Sequence, residues 1–298
     1  KDAQIQTIGS VWGLTAQRSS KRVFTSAFLK RHVGLGPRGM DGIYVLDYNA
    51  ATPTLLGGFD LQGVTPINGG ATIDLGSVTR NVVTGAGNGN NDITVDPNQP
   101  SHDMDAFAKA GKTGYGDINM GEDDKTLWLV NLKQRTLLAV DTTQLTINTS
   151  VPNTVNGAAV KQYNILTGGP AGATISGAPT CSNGQLRPFG LAFRNGKGYL
   201  GAVCDASTSA TIRKPAEQVA YVLSFAANAP TSFTTEVSFN LNHTREPEYY
   251  KFTGEKVQGN WQRWMDTWDT SALNSGFSNF KTAPQPILSE IAFADDGS

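Results

Sequence analysis

The sequence predicts an all-β fold, specifically a β-propeller of four-stranded blades separated by long insertions. Three observations predict it. First, one phrase recurs, in which an apolar strand, a polar turn and a second apolar strand follow one another. It occupies residues 11–17 with 22–28, 116–121 with 126–132, and 189–193 with 198–203, and it opens again at 289–293. Second, the 298 residues include 33 glycines and are 39% hydrophobic, which suits many short strands joined by turns. Third, the equivalent positions Leu14, Ile118, Leu191 and Ile291 stand 104, 73 and 100 residues apart, against about 40 to 50 for a compact blade. A sheet of this kind cannot cover both its faces alone, so the repeats are expected to stack on one another.

The first unit, 5–61, passes through a basic, glycine-rich excursion at 30–39 into a third strand at 42–48. β-branched and aromatic residues mark that strand. A turn at 49–53 leads to an outer strand at 54–61. The second unit, 114–143, has Gly121-Glu122-Asp123-Asp124-Lys125 as its hairpin turn and a further strand at 137–141. Acidic residues in that turn, and in Asp295-Asp296-Gly297, read as structural turn formers. The third unit, 186–241, turns at Asn195-Gly196, a pair that tolerates positive φ, and continues with strands at 219–225 and 234–241. The fourth, 287–298, stops after one strand. It is therefore expected that the ring is larger or is completed by other residues or another chain, and that free sheet edges pair with further copies.

The insertions fall at 62–113, 144–185, 205–218 and 242–286, and long loops on a rigid scaffold are where binding residues reside. Asp92, Asp96, Asp103 and Asp105, with Asn88, Asn90 and Asn91, offer the oxygen ligands that Ca2+ takes; the alternative is a solvated loop. Residues 101–111 suit one or two helical turns with Ser101 as N-cap. Trp261, Trp264 and Trp268, three and four residues apart, fit one helical face. They make either a stacking platform for a glycan or a packed face, and Tyr249, Tyr250, Arg263 and Asp266 would suit a polar rim in either case. Cys181 and Cys204 are expected to form a disulfide, worth roughly 3 kcal/mol in the chain-entropy picture and pointing to an oxidising compartment.

With 24 basic and 25 acidic residues the formal net charge is −1, so no global field recruits nucleic acid. No apolar run approaches the ~20 residues of a membrane-spanning helix, so no membrane insertion is expected. Charged residues are only 16% of the chain, a neutral polar balance shared by many secreted proteins. His32, His102 and His243 form no metal-ligand pair, and there is no nucleophile elbow or phosphate loop. An enzymatic alternative, a secreted hydrolase or lyase with a metal in the central channel, rests on Asp117 and Glu290 of the inner strands. Glu246 and Glu248 alternate on a possible strand, but nothing distinguishes an acid from a nucleophile. Two glycosylation sequons begin at Asn148 and Asn242.

Asp117-Ile118-Asn119-Met120-Gly121 before the 127–132 strand, and Arg187-Pro188-Phe189-Gly190-Leu191-Ala192-Phe193 before Gly198-Tyr199-Leu200-Gly201, resemble the propeller region of large bacterial surface and secreted proteins. The resemblance covers about half the chain, the blade segments, and leaves the insertions unmatched. It implies an adhesin-like module, often combined with immunoglobulin-like repeats, that acts in attachment or in an extracellular filament or matrix. It implies a protein or glycan partner and carries over no catalytic residues.

Overall fold

A computed structural model describes residues 5–249, 256–257, 259–268, 274–275 and 281–294. The protein is all-β, and its described residues include the short α-helices α1 (Ile5–Ile8) and α2 (Met104–Lys109). Three meandering sheets form its body. The first contains β1 (Val11–Gln17), β2 (Arg22–Ala27), β3 (Gly42–Asp47) and β4 (Thr54–Asp60), paired antiparallel in chain order. A small sheet of β5 (Asn81–Val83), β6 (Asn91–Thr94) and β7 (His102–Asp103) follows within the first insertion.

The second large sheet contains β8 (Tyr115–Met120), β9 (Thr126–Asn131), β10 (Thr136–Asp141) and β11 (Val160–Asn164), with β12 (Ala173–Thr174) added parallel at its edge. The third contains β13 (Leu186–Arg194), β14 (Lys197–Cys204), β15 (Val219–Ala226) and β16 (Thr234–Asn240). Two-residue pairs β17 (Glu248–Tyr249) with β18 (Lys256–Val257), and β19 (Asn274–Ser275) with β20 (Lys281–Thr282), lie in the last insertion.

The second sheet shows why β9 and β10 read as nearly unbroken apolar runs. Side chains alternate across a strand. Leu127 and Leu129 of β9 join Phe24, Ile43, Val45 and Phe59 in a core shared with the first sheet. Trp128 and Val130 point the other way, into a core shared with Leu191, Leu200, Leu223 and Phe225 of the third. Both faces of this sheet are therefore covered by neighbours.

The edge strands β1, β8 and β13 of the three large sheets repeat one device. Each of β1, β8 and β13 carries a bulge against its partner, between Val11 and Leu14, Tyr115 and Ile118, and Pro188 and Leu191 respectively. Each bulge contains a glycine that admits the next segment in the series. A Cβ on Gly13 would lie 2.7 Å from the Ile118 nitrogen, one on Gly116 3.0 Å from the Phe189 oxygen, and one on Gly190 2.9 Å from the Leu288 oxygen. The Gly190 N–H donates to that Leu288 carbonyl at 2.9 Å. Residues 288–291 thus follow β13 in the same place that β13 takes beside β8, although 289–293 form no strand.

Three other expectations are corrected. The outer strand of the second sheet, β11, lies inside the 144–185 stretch read as insertion. Asp103, not Ser101, stands at the N-cap position of α2 and makes no side-chain capping bond, while the Ser101 hydroxyl accepts from the Thr94 N–H. Residues 261–268 form no helix. Their N–H groups are taken by distant acceptors: Gln262 by the Pro284 carbonyl, Arg263 by Ile212, Trp264 by Asp205, and Met265 by the Gln285 side chain. Tyr250 and 295–298 lie outside the described residues, as does the side chain of Tyr249.

The meander also sets where the loops emerge. The tight β1–β2, β8–β9 and β13–β14 turns share one end of the sheets. Their tips are joined there: Asp124 accepts from the Arg18 and Ser19 N–H groups, and Glu122 from those of Asn195 and Gly196. The long connections 28–41, 61–114, 165–185 and 205–218 leave from the opposite end.

Candidate functional site

The insertions at that opposite end are pinned by three ion pairs. Arg38 bridges to Asp60 at 2.8 Å and donates to the Asn148 and Ser150 carbonyls. Arg80 pairs with fully buried Asp103 at 2.7 Å and donates to the Lys30 and Val33 carbonyls, tying the 28–41 excursion to the first insertion. Arg187 pairs with Asp205 at 2.7 Å. The predicted Cys181–Cys204 disulfide is present, with Cα atoms 5.4 Å apart, and holds the end of the 144–185 stretch against β14.

Between these pinned loops lies a cleft of about 430 Å³, within the usual range for small-molecule sites. Phe28, Lys30 and Arg31 form one wall, Phe107, Ala110 and Gly111 a second, and Trp264, Trp268, Thr282, Gln285 and Ile287 the third. The Arg31 guanidinium lies 5.4 Å from the Phe107 ring centre and 4.9 Å from that of Trp268, and these two rings meet edge to face. Such stacking orients a planar cation without using its hydrogen-bond donors. Burial lowers the Arg31 pKa, with the Asp103 charge opposing that shift.

The aromatic residues divide. Trp264 is buried and its indole N–H donates to the Pro286 carbonyl at 3.1 Å. Trp268 is half-buried and lines the cleft beside it. Trp261 turns elsewhere, packing with Val203, Ala220, Leu241 and Leu288 under the Arg245 guanidinium. The three do not form a single platform. The cleft residues that the sequence reading missed, Arg31 and Phe107, are distant in sequence from the tryptophans. The basic excursion at 30–39 was the visible signal.

The four aspartates offered for calcium are each engaged separately. Asp92 accepts from the Gly89 N–H and the Asn81 amide, and Asp96 from the Asn98 N–H. Asp103 holds Arg80 and the His32 N–H; Asp105 holds Lys109 and the Thr79 N–H. Among the described residues no group of three or more His, Cys, Asp or Glu side chains is placed to hold a metal.

On the inner strands, Asp117 is pushed up to about 6 by burial, with the Glu290 charge adding to the shift. Its oxygens accept from the Ile118 and Leu191 N–H groups at 2.9 and 3.0 Å, so it bridges β8 to β13. A larger depression of about 640 Å³ lies beside β9–β11. Its carboxylates Asp123 and Asp141 are bound to their own turns.

No family model matches the chain. It is 23% identical over 285 residues to Colossin-A of Dictyostelium discoideum, an alignment that takes in 96% of this chain and 2% of that protein. The chain therefore spans a small fraction of the length of the relative it resembles. No helix among the described residues is long and apolar enough to cross a membrane.

Proposed function

We propose that this chain is a non-enzymatic extracellular binding module whose three sheets are consecutive blades of a β-propeller and whose pinned insertions hold a glycan or protein ligand. The observation that carries the reading is the cleft itself. Residues from three separate parts of the chain converge on it, each fixed by a buried ion pair or by side-chain packing, which is how a rigid scaffold presents loops for recognition. The repeated glycine bulges support the propeller, because they bring successive inner strands together by one operation. The disulfide supports an oxidising, extracellular setting. A match to a small stretch of a much longer protein is in keeping with a module joined to other domains.

The competing hydrolase or lyase reading would need Asp117 free to act, whereas both of its oxygens accept backbone N–H groups. The test is binding of the labelled full chain to a glycan array and to surface-protein extracts, in parallel with Trp268→Ala. Retention by a defined glycan or protein class that the variant loses supports the reading; identical profiles for the two proteins overturn it.

A further inference from the structure

We infer that the cleft takes a carboxylated sugar, with Arg31 gripping the carboxylate. The inference rests on the reading of the cleft as a ligand site and names the ligand's chemistry. Its first support is a set of unused donors. Among the described residues, Arg31 donates no hydrogen bond to any protein acceptor, and its Nε is wholly buried. A buried N–H left without an acceptor is costly, and the planar donor fork of a guanidinium matches a carboxylate in bidentate fashion. The rings of Phe107 and Trp268 hold that fork in place, so little side-chain entropy remains to be lost on binding.

The charge balance is the second support. Asp103, the nearest carboxylate, is committed to Arg80 and to the His32 N–H. Lys112 is paired with Asp266, and Lys109 with Asp105. Among the described residues, Lys30 and Arg31 line the cleft without a carboxylate partner, and Lys30 lies 5.7 Å from the Trp12 ring centre. A neutral ligand would leave both charges uncompensated.

The third support is the opposite wall. The Thr282 hydroxyl is buried and, among the described residues, has no hydrogen-bond partner, and the Gln285 side chain lines the same cleft. Trp268 and Ile287 add apolar surface to the same lining. A carboxylate fork, a hydroxyl and an apolar strip across one cavity of about 430 Å³ match the charged, hydroxylated and C–H faces of a uronic acid.

The test uses the full chain and two disaccharides that differ only in oxidation at C6, β-1,4-linked diglucuronic acid and cellobiose, titrated by calorimetry. The acidic disaccharide is expected to bind at least about ten-fold more tightly, the worth of one charge-assisted pair. Arg31→Gln is expected to remove that preference, and Arg31→Lys, which keeps the charge without the fork, to restore it only in part. Equal binding of the two sugars, no binding of either, or a preference that survives Arg31→Gln overturns the inference. If the sugars bind alike and Trp268→Ala abolishes both, the acidic specificity fails while the cleft stands as a glycan site. If Trp268→Ala changes neither, the cleft reading fails as well.

Discussion

The second and third sheets share one meander and differ in what surrounds them. The second is packed on both faces, with Leu127 and Leu129 on one side and Trp128 and Val130 on the other, all buried. The third buries one face against the second. Its other face is covered near β14 and β15 by Trp261 and Leu288, and its outer strand β16 is exposed along its whole length, with Val237 at 51% and Phe239 at 46%. The same strand grammar therefore yields different local stability. Sheet stability here comes from neighbours, which is why the second sheet is the keystone and β16 contributes least.

The sharpest way to break this comparison is Leu129→Ala. A cavity at a position fully enclosed between sheets should cost about 2 to 5 kcal/mol, read as a fall in urea midpoint at unchanged m-value. Next, Cys181→Ser should cost about 3 kcal/mol, because it opens a loop of 23 residues and releases the end of the 144–185 stretch from β14. Reduction of the wild type should reproduce the loss, and a reduced wild type as stable as the oxidised one would refute the assignment.

A smaller effect concerns the first sheet's border with the second. Asp41 is pushed up to about 6 by burial, although it accepts from the Leu61 and Gln62 N–H groups and from the Tyr115 hydroxyl. Its pKa is raised in the folded state, so the folded chain holds that proton more tightly than the unfolded chain. The resulting stabilisation is complete below the ordinary aspartate value of 3.8 and is lost as pH rises through about 6. Asp41→Asn keeps the Oδ1 acceptor and removes the charge. It should therefore flatten the decline between pH 4 and 7 by about 2 kcal/mol in denaturant titrations. Last, Val237→Lys on exposed β16 should change stability by less than about 0.5 kcal/mol. A large loss there would mean that β16 is covered in solution.

The strands were legible in the sequence wherever their residues alternate or run apolar, as β1, β9 and β14 do. Strand β11 was not, because its Lys161 and Gln162 look like loop residues. Gln162 is fully buried, and its amide donates to the Gln134 side chain and the Thr136 hydroxyl, so a local polar network replaces the apolar signal. The tryptophan spacing suggested a helix because three- and four-residue steps are helical. The structure instead spends the backbone donors of 262–265 on distant acceptors, a choice made by tertiary contacts that leave no local trace. The acidic turn at 122–124 was read correctly as structural, but its role of gripping the neighbouring hairpins needed the sheet arrangement to be seen. Cleft residue Arg31 was hidden for the same reason: its partners Phe107 and Trp268 are joined to it only by the fold.

The clasp formed by Glu122 and Asp124 has a practical corollary for anyone who would rebuild this protein. Because the short hairpin tips are riveted together at one end, the sheets are held like the sticks of a fan, and the angle between them is set away from the long loops. Segments grafted at the far end, in place of the native insertions, would inherit a fixed spacing and orientation without having to supply it themselves.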